Sequence, residues 1–385
     1  MPSDFLHLFD ALLRLPSVSS AHAALDMSNR PVIDLLADRF STLGFTCEIM
    51  PLPGHPHKAN LIATLGRGPG GLVLSGHTDT VPFDADLWRS DPLRLTERDN
   101  RLYGLGSTDM KGFFAIVHEA VRALDASKLQ QPLVILATAD EESSMDGARA
   151  LVQAGRQLGR GALIGEPTGL KPINRHKGVM MERLRVQGQS GHSSNPALGK
   201  SALEAMHAML STLLALRASL QREYRNPHFA IDLPTMNFGV IHGGDNPNRI
   251  CGHCELEFDV RLLPGMNSAT LRDDIRALLE PIARQHAVEF SFTPLFPGVE
   301  PFANDHSELV ALCETLTGST AQSVAFGTEA PLLQQLHLDT VVLGPGSIDV
   351  AHQPNEYMEL DQVRPCIELL RRLIGRYCLV PAASR

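Results

Sequence analysis

Cysteine is scarce: six thiols in 385 residues, at Cys47, Cys251, Cys254, Cys313, Cys366 and Cys378. That excludes a disulfide framework and fits a reducing compartment, the cytoplasm. Cys251 and Cys254 form a C-x-x-C, but no second such pair completes a structural zinc site. Positive charge is also short, with 34 Lys+Arg against 43 Asp+Glu and a formal net charge of -9. No net basic field exists to hold phosphates, which argues against nucleic acid as a main partner and against a polybasic membrane anchor. No apolar run approaches the ~18 residues that a membrane helix needs. The opening segment reads as an amphipathic helix and not as a secretion signal. Asp4, His7 and Asp10 interrupt it and no basic stretch precedes it, while Phe5, Leu8, Phe9, Leu12 and Leu13 recur at helical spacing.

What remains is ordinary for a soluble globular enzyme: 43% hydrophobic and 20% charged residues. The length allows two or three domains at roughly 150 residues each. Two kinds of strand pattern occur, and they segregate. Short, continuously apolar runs at 71–76 (GLVLSG), 132–139 (PLVILATA), 161–165 (GALIG) and 340–344 (TVVLG) suit strands buried on both faces of a parallel sheet. Helical patterns lie between them at Gly112 to Leu124 and Met145 to Leu158, giving the alternation of an α/β layer.

The middle of the chain alternates instead. Cys254, Leu256, Phe258, Val260 and Leu262 share one face of a strand, and Glu255, Glu257, Asp259 and Arg261 the other. Segments 180–188, 235–244 and 288–293 repeat the pattern. Helices are predicted over Lys200 to Tyr224 and Ser268 to His286, the second capped by Ser268. The order strand, helix, strand, strand, helix, strand is that of a ferredoxin-like α+β domain. The predicted organisation is a catalytic α/β domain over 1–177 and 294–385, with a lid or dimerisation domain over 178–293 inserted into it.

Several motif matches fail on context. Gly66, Gly68 and Gly71 satisfy G-x-G-x-x-G but precede a strand instead of opening a helix. Gly199-Lys200-Ser201 matches the end of a P-loop, but Ser194 stands where its first glycine belongs. His118-Glu119 begins an H-E-x-x-H that Arg122 ends. No G-x-S-x-G nucleophile elbow is present.

Chemistry gathers where the buried strands end. The first run leads into His77-Thr78-Asp79 and the second into Asp140-Glu141-Glu142. The third leads into Glu166-Pro167, and the fourth, after a glycine-rich loop, into Ala351-His352. Asp109 closes a turn before a predicted helix. Ligand sites in open α/β sheets form beyond the carboxyl ends of the strands, so these side chains converge on one edge. Any one of them alone reads as a loop histidine, a cap or a solvated acid; the joint placement does not. Histidines and carboxylates without cysteine suit Zn²⁺, Co²⁺ or Mn²⁺. The excess of carboxylates suggests two ions sharing an Asp, about 3.5–4 Å apart.

The motifs SGHTDTVP (75–82), YGLGSTDMKG (103–112), TADEE (138–142), IGEPT (164–168) and AHQPNEY (351–357) resemble those of the dinuclear zinc aminoacylase and carboxypeptidase family. The resemblance extends through QGQSGHSSNP (187–196), GGDNPNRIC (243–251), DVRLLPGM (259–266), GTEAP (327–331) and LGPGSID (343–349), and so spans nearly the whole chain. It implies a zinc-peptidase-like catalytic domain, two divalent metal ions per chain, zinc before cobalt, and a small N-acylated amino acid as substrate. His77 and Glu166 would bind one ion, Glu142 and His352 the other, and Asp109 both, with a cis Asp109-Met110 peptide. Asp79 would hydrogen-bond His77. Glu141 would be the general base, and His192 would stabilise the oxyanion from the partner subunit of a homodimer. Arg261, aided by Asn248, would hold the substrate carboxylate, with Glu329 the candidate for a side-chain ammonium. The metal motifs do not separate the deacylases of this family from one another. Spacing alone also allows a two-metal phosphoesterase, though the lid shows no basic cluster for a phosphate. A non-catalytic relative would have lost Glu141 or a ligand, and none is lost.

Overall fold

A computed structural model describes residues 3–380. The chain divides into two compact units. One takes the residues up to Asn174, Asn304–Gln322 and those from Thr328 onward; the other takes Arg175–Ala303 and Ser323–Gly327. The second unit therefore runs past the expected limit at residue 293.

In the first unit the apolar runs form strands Leu72–His77, Leu133–Thr138, Gly161–Ile164 and Asp339–Val342. Adjacent strands here pair in parallel: Leu133–Thr138 with Leu72–His77, that strand with Gly161–Ile164, and that one with Asp339–Val342. Every residue of the first three is buried, as continuous apolar runs require. Helices Ser3–Leu13, Lys111–Val121 and Leu360–Cys378 share the sheet's core through Phe5, Phe9, Leu12, Phe113, Phe114 and Leu370. The predicted opening helix is thus present and buries its apolar stripe.

Two features of this unit depart from the sequence reading. An antiparallel pair, Thr46–Leu52 with His55–Leu65, extends the sheet beyond Leu133–Thr138. Pro51, Pro56 and three polar side chains near the turn break its alternation, so periodicity does not reveal it; Gly54, at φ +78°, makes the tight turn possible. The helix expected to reach Leu158 spans only Asp146–Gln153, because Gly155 enters the left-handed region at φ +58° and ends it.

The second unit is a four-stranded antiparallel sheet in the order Thr235–Gly243, His253–Leu262, Gly178–Gln187, Glu289–Pro294. Helices Ala202–Glu223 and Ser268–His286 pack on it. Chain order and sheet order are those of the ferredoxin-like motif. Strand His253–Leu262 alternates as read, with Cys254, Leu256, Phe258, Val260 and Leu262 in the core. Its other face carries cross-strand ion pairs, Arg183 Nη2 to Glu257 at 2.7 Å and Arg185 to Glu255. Ser268 is not the cap of its helix. Asn267 is: its Oδ1 accepts from Thr270 N at 3.0 Å, while Ser268 binds Glu300. Adjacent cap-forming residues leave this choice open in a sequence.

His176 gives the unit a pH-dependent stability. The ring is buried, 5.3 Å from the Phe302 ring, and Nδ1 lies 2.9 Å from the Lys177 carbonyl. Burial pushes its pKa down to about 4. Above the ordinary pKa of about 6.5 the ring is neutral folded or unfolded. As pH falls from there toward 4, the unfolded chain takes up the proton first, and up to about 3 kcal/mol of stability is lost. Urea unfolding of the chelator-treated protein should show this loss between pH 6.5 and 4.5, and His176→Gln should show a shallower slope. Equal slopes would contradict it.

Candidate metal centre

The parallel strands all point their carboxyl ends to one edge. His77 is the last residue of its strand, in register with Thr138. Asp79, the run Asp140-Glu141-Glu142, and Glu166 follow directly from neighbouring strands. Gly165 and Gly344 permit the close approach of two of these strand ends; a Cβ on Gly344 would lie 2.1 Å from the Gly165 carbonyl oxygen.

Asp109, next to a cis peptide with Met110, lies between the two histidines. Its Oδ1 is 2.9 Å from His77 Nε2, and its Oδ2 is 3.3 Å from His352 Nε2. Glu142 Oε1 is 3.0 Å from His352 Nε2, and Glu166 Oε1 is 3.9 Å from His77 Nε2. Ligand atoms of His77, Asp109 and Glu142 all lie within 4.8 Å of one another, as do those of His77, Glu141 and Glu166. The structure thus brings together all the expected metal residues, with Glu141 among them.

The cluster is electrostatically unbalanced. Burial lifts the Glu141 and Glu166 carboxyls well above their usual range, and neighbouring carboxylates add to the shift. Burial raises Glu142 as well. Burial alone would lower His77, but its contacts with Asp109 and Asp79 outweigh this and hold it well above the ordinary value. Contacts with Asp109 and Glu142 raise His352 to about 10. Asp109 itself is held low: burial is outweighed by the two imidazoles. Glu166 Oε1 is buried with no hydrogen-bond partner. A buried carboxylate oxygen without a donor is costly, and divalent cations would satisfy it. The donor set of imidazole and carboxylate, without thiol, fits such ions.

Some supports are not legible in the sequence. Glu356, buried, accepts three backbone N–H groups, from Thr108 at 2.8 Å and from Asp109 and Gly106 at 3.0 Å. It therefore fixes the loop that carries Asp109, although 247 residues separate the two. Lys58, also buried, donates to Asp26 at 2.5 Å and to Asp140, whose φ is +61°. No local pattern announces such long-range anchors.

Asp79 has a further role besides its expected contact with His77. His77 Nδ1 lies 3.0 Å from the Asp79 backbone carbonyl, and the carboxylate is farther, at 3.6 Å. That carboxylate also accepts from the N–H groups of Glu141 at 3.2 Å and Glu142 at 3.0 Å. It thereby orients the turn bearing both residues.

Glu329 also lies in this unit. It is 1% exposed and accepts from Thr138 Oγ1 at 2.9 Å, and burial raises it to about 7. It is shut in beside the cluster and is not a surface acid open to a substrate ammonium.

His192, Asn248 and Arg261 belong to the second unit. The first two are neighbours: Ser193 N donates to the Asn248 carbonyl at 3.1 Å. His192 Nδ1 accepts from Ser194 N at 3.2 Å, so the neutral ring carries its proton on Nε2. Arg261 Nε donates to Asp259 at 2.9 Å.

A mixed α/β unit presenting histidines and carboxylates at its strand ends is the arrangement of a metal centre. The family model for peptidase family M20/M25/M40 matches residues 73–376, and the chain belongs to that family. It is 48% identical to the acetylornithine deacetylase of Pectobacterium carotovorum subsp. carotovorum (strain PC1), over 97% of this chain and 98% of that one. It is 49% identical to that of Edwardsiella ictaluri (strain 93-146), over 98% of each. Among solved structures, an M20 family metallo-carboxypeptidase from Sulfolobus solfataricus superposes with a TM-score of 0.73 at 17% identity, covering 97% of this chain and 99% of that one. A dinuclear metal-binding M20 peptidase of Bacillus subtilis gives 0.66 at 15%, covering 96% of each. These structures establish the shared fold, and the chain is a metal-dependent amide hydrolase. No helix among the described residues is long and apolar enough to cross a membrane.

The Glu356 anchor can be tested. Glu356→Ala strands three backbone donors, at about 1 kcal/mol or more each. The variant should unfold at least ~3 kcal/mol more easily and lose metal faster on dialysis against chelator. Unchanged stability and metal retention would contradict the anchoring role.

Proposed function

We propose that this chain deacetylates N2-acetyl-L-ornithine to L-ornithine and acetate, as an acetylornithine deacetylase of arginine biosynthesis acting in the cytoplasm. The observation that carries the reading is Asp109, one oxygen turned to His77 and the other to His352, with Glu141 alongside. Near-full-length similarity to acetylornithine deacetylases supports the substrate.

In this reading His77 and Glu166 would hold one divalent ion, Glu142 and His352 the other, and Asp109 would serve both. The donors suit zinc first and cobalt second. Such ions, when bound, polarise the amide carbonyl and make a water acidic near neutral pH. The proton traffic falls to Glu141. It takes the proton of the attacking water and returns it to the leaving nitrogen as the C–N bond breaks, ending as it began.

Asp79 and Glu356 keep the two carboxylate-bearing loops in place. The family resemblance assigns His192, from the partner subunit of a homodimer, to the developing oxyanion, and its Nε2–H is the form that donates. It assigns Arg261 and Asn248 to the substrate carboxylate. Arg261 Nε is engaged with Asp259, so its terminal amines would make that contact.

Steady-state assays of the metal-loaded protein should show a higher kcat/KM for N-acetylornithine than for N-succinyl-diaminopimelate. Glu141→Gln should lower kcat about 10²–10⁴-fold while keeping its metal. Preference for the succinyl substrate would move the reading to a sibling desuccinylase. Near-normal activity of the variant would remove Glu141 as the base.

A further inference from the structure

Beside His352, within the first unit, lies a separate cavity of about 170 Å³. Phe83, Leu87, Trp88 and Leu105 form much of its wall, with His352 and Asp84 among the polar groups lining it. The segment carrying Asp84 and Trp88 is tied to the loop after His352, because Arg89 N donates to Asn355 Oδ1 at 2.8 Å. Asp84 opens a short 3-10 turn over Ala85–Leu87, and its Oδ1 accepts from Asp86 N at 3.3 Å. Its carboxylate is exposed. Leu87 is 61% exposed, a large apolar side chain left uncovered on the cavity wall.

We propose that this cavity receives the substrate's amino-acid side chain, and that Asp84 and Trp88 select one ending in an ammonium group. The proposal rests on the deacetylase reading and names the group that reads its substrate. The size fits a side chain and not a whole ligand. At ~30 Å³ per water-sized group the cavity holds five or six such groups, enough for three methylenes and an ammonium.

The reach fits as well. From the scissile carbonyl carbon to the ornithine ammonium is six bonds, about two residues of extended chain or ~7 Å. His352 itself lines the cavity, so a side chain of this length attached beside it is long enough to enter.

The chemistry of the wall matches the chain it would hold. Leu87 and Leu105 cover methylenes, the indole face attracts a cation, and a carboxylate gives it a charge-assisted hydrogen bond. Glu329 is enclosed, at 1% exposure, and does not line this cavity.

Trp88 is the chain's single tryptophan, so its emission reports on this cavity alone. Two measurements on the metal-loaded protein test the proposal. In the first, kcat/KM is compared for N-acetylornithine and N-acetylnorvaline, whose side chain has the same three carbons without the ammonium. Asp84→Asn should lower the ratio of the two about tenfold, and Asp84→Glu should recover part of it. In the second, N-acetylornithine is titrated into the Glu141→Gln protein while Trp88 emission is followed. Emission should shift, and adding Asp84→Asn should raise the apparent Kd about tenfold.

An unchanged ratio, or emission that does not move, overturns the assignment. If the wild type hydrolyses neither substrate, the deacetylase reading falls, and the titration still decides the cavity by whether Trp88 responds in an Asp84-dependent way.

Discussion

The structure turns on a crowding of negative charge out of water. Asp79, Asp109, Glu142, Glu166 and Glu329 come together at one sheet edge, with Glu141, opposed at close range by His77 and His352. Removing a carboxylate from water is expensive unless it is paired or bonded. The imidazoles pair with some of these groups, yet Glu166 and Glu329 each keep a buried oxygen without a partner. A fold that preserves this arrangement preserves a place for cations. The raised acids and raised histidines are two sides of the same imbalance.

Holding such a cluster calls for anchors outside it. Asp79 spends its carboxylate on two backbone N–H groups, which sets the turn carrying Glu141 and Glu142. Glu356 does the same for the Asp109 loop, and Lys58 ties Asp140 to Asp26. Each anchor is buried and joins segments far apart in sequence. The sheet contributes rigidity, and the glycines at 165 and 344 let its strand ends close up. Positioning of this kind is what lets fixed groups act without reorganising during reaction.

Much of this is legible in the order of the residues. The buried strands declare themselves by unbroken apolar runs and the second unit's strands by strict alternation. Both patterns follow from which faces meet water. His77, Glu142 and Glu166 are legible because each stands just beyond an apolar run, His352 follows one after a glycine-rich loop, and Asp109 closes a turn before a helix. The antiparallel pair Thr46–Leu52 and His55–Leu65 is not, since prolines and histidines disturb its period. Glu356 and Lys58 stay hidden for another reason: a buried charge whose partners lie far along the chain looks like any surface charge. For Asp79 the position along the chain points to the site, but not to the two backbone bonds it makes there besides its contact with His77. Whether a carboxylate meets a ring or a nearby N–H depends on turn geometry that a sequence does not carry.

The central claim is that this cluster exists to hold two cations through one shared carboxylate. The most direct measurement is metal content per chain after loading with zinc or cobalt and removal of excess, for the wild type and Asp109→Ala. The account predicts two tightly held ions in the wild type and the loss of both in the variant, because Asp109 faces both histidines. Two ions still held tightly by Asp109→Ala, or one or none in the wild type, would contradict it.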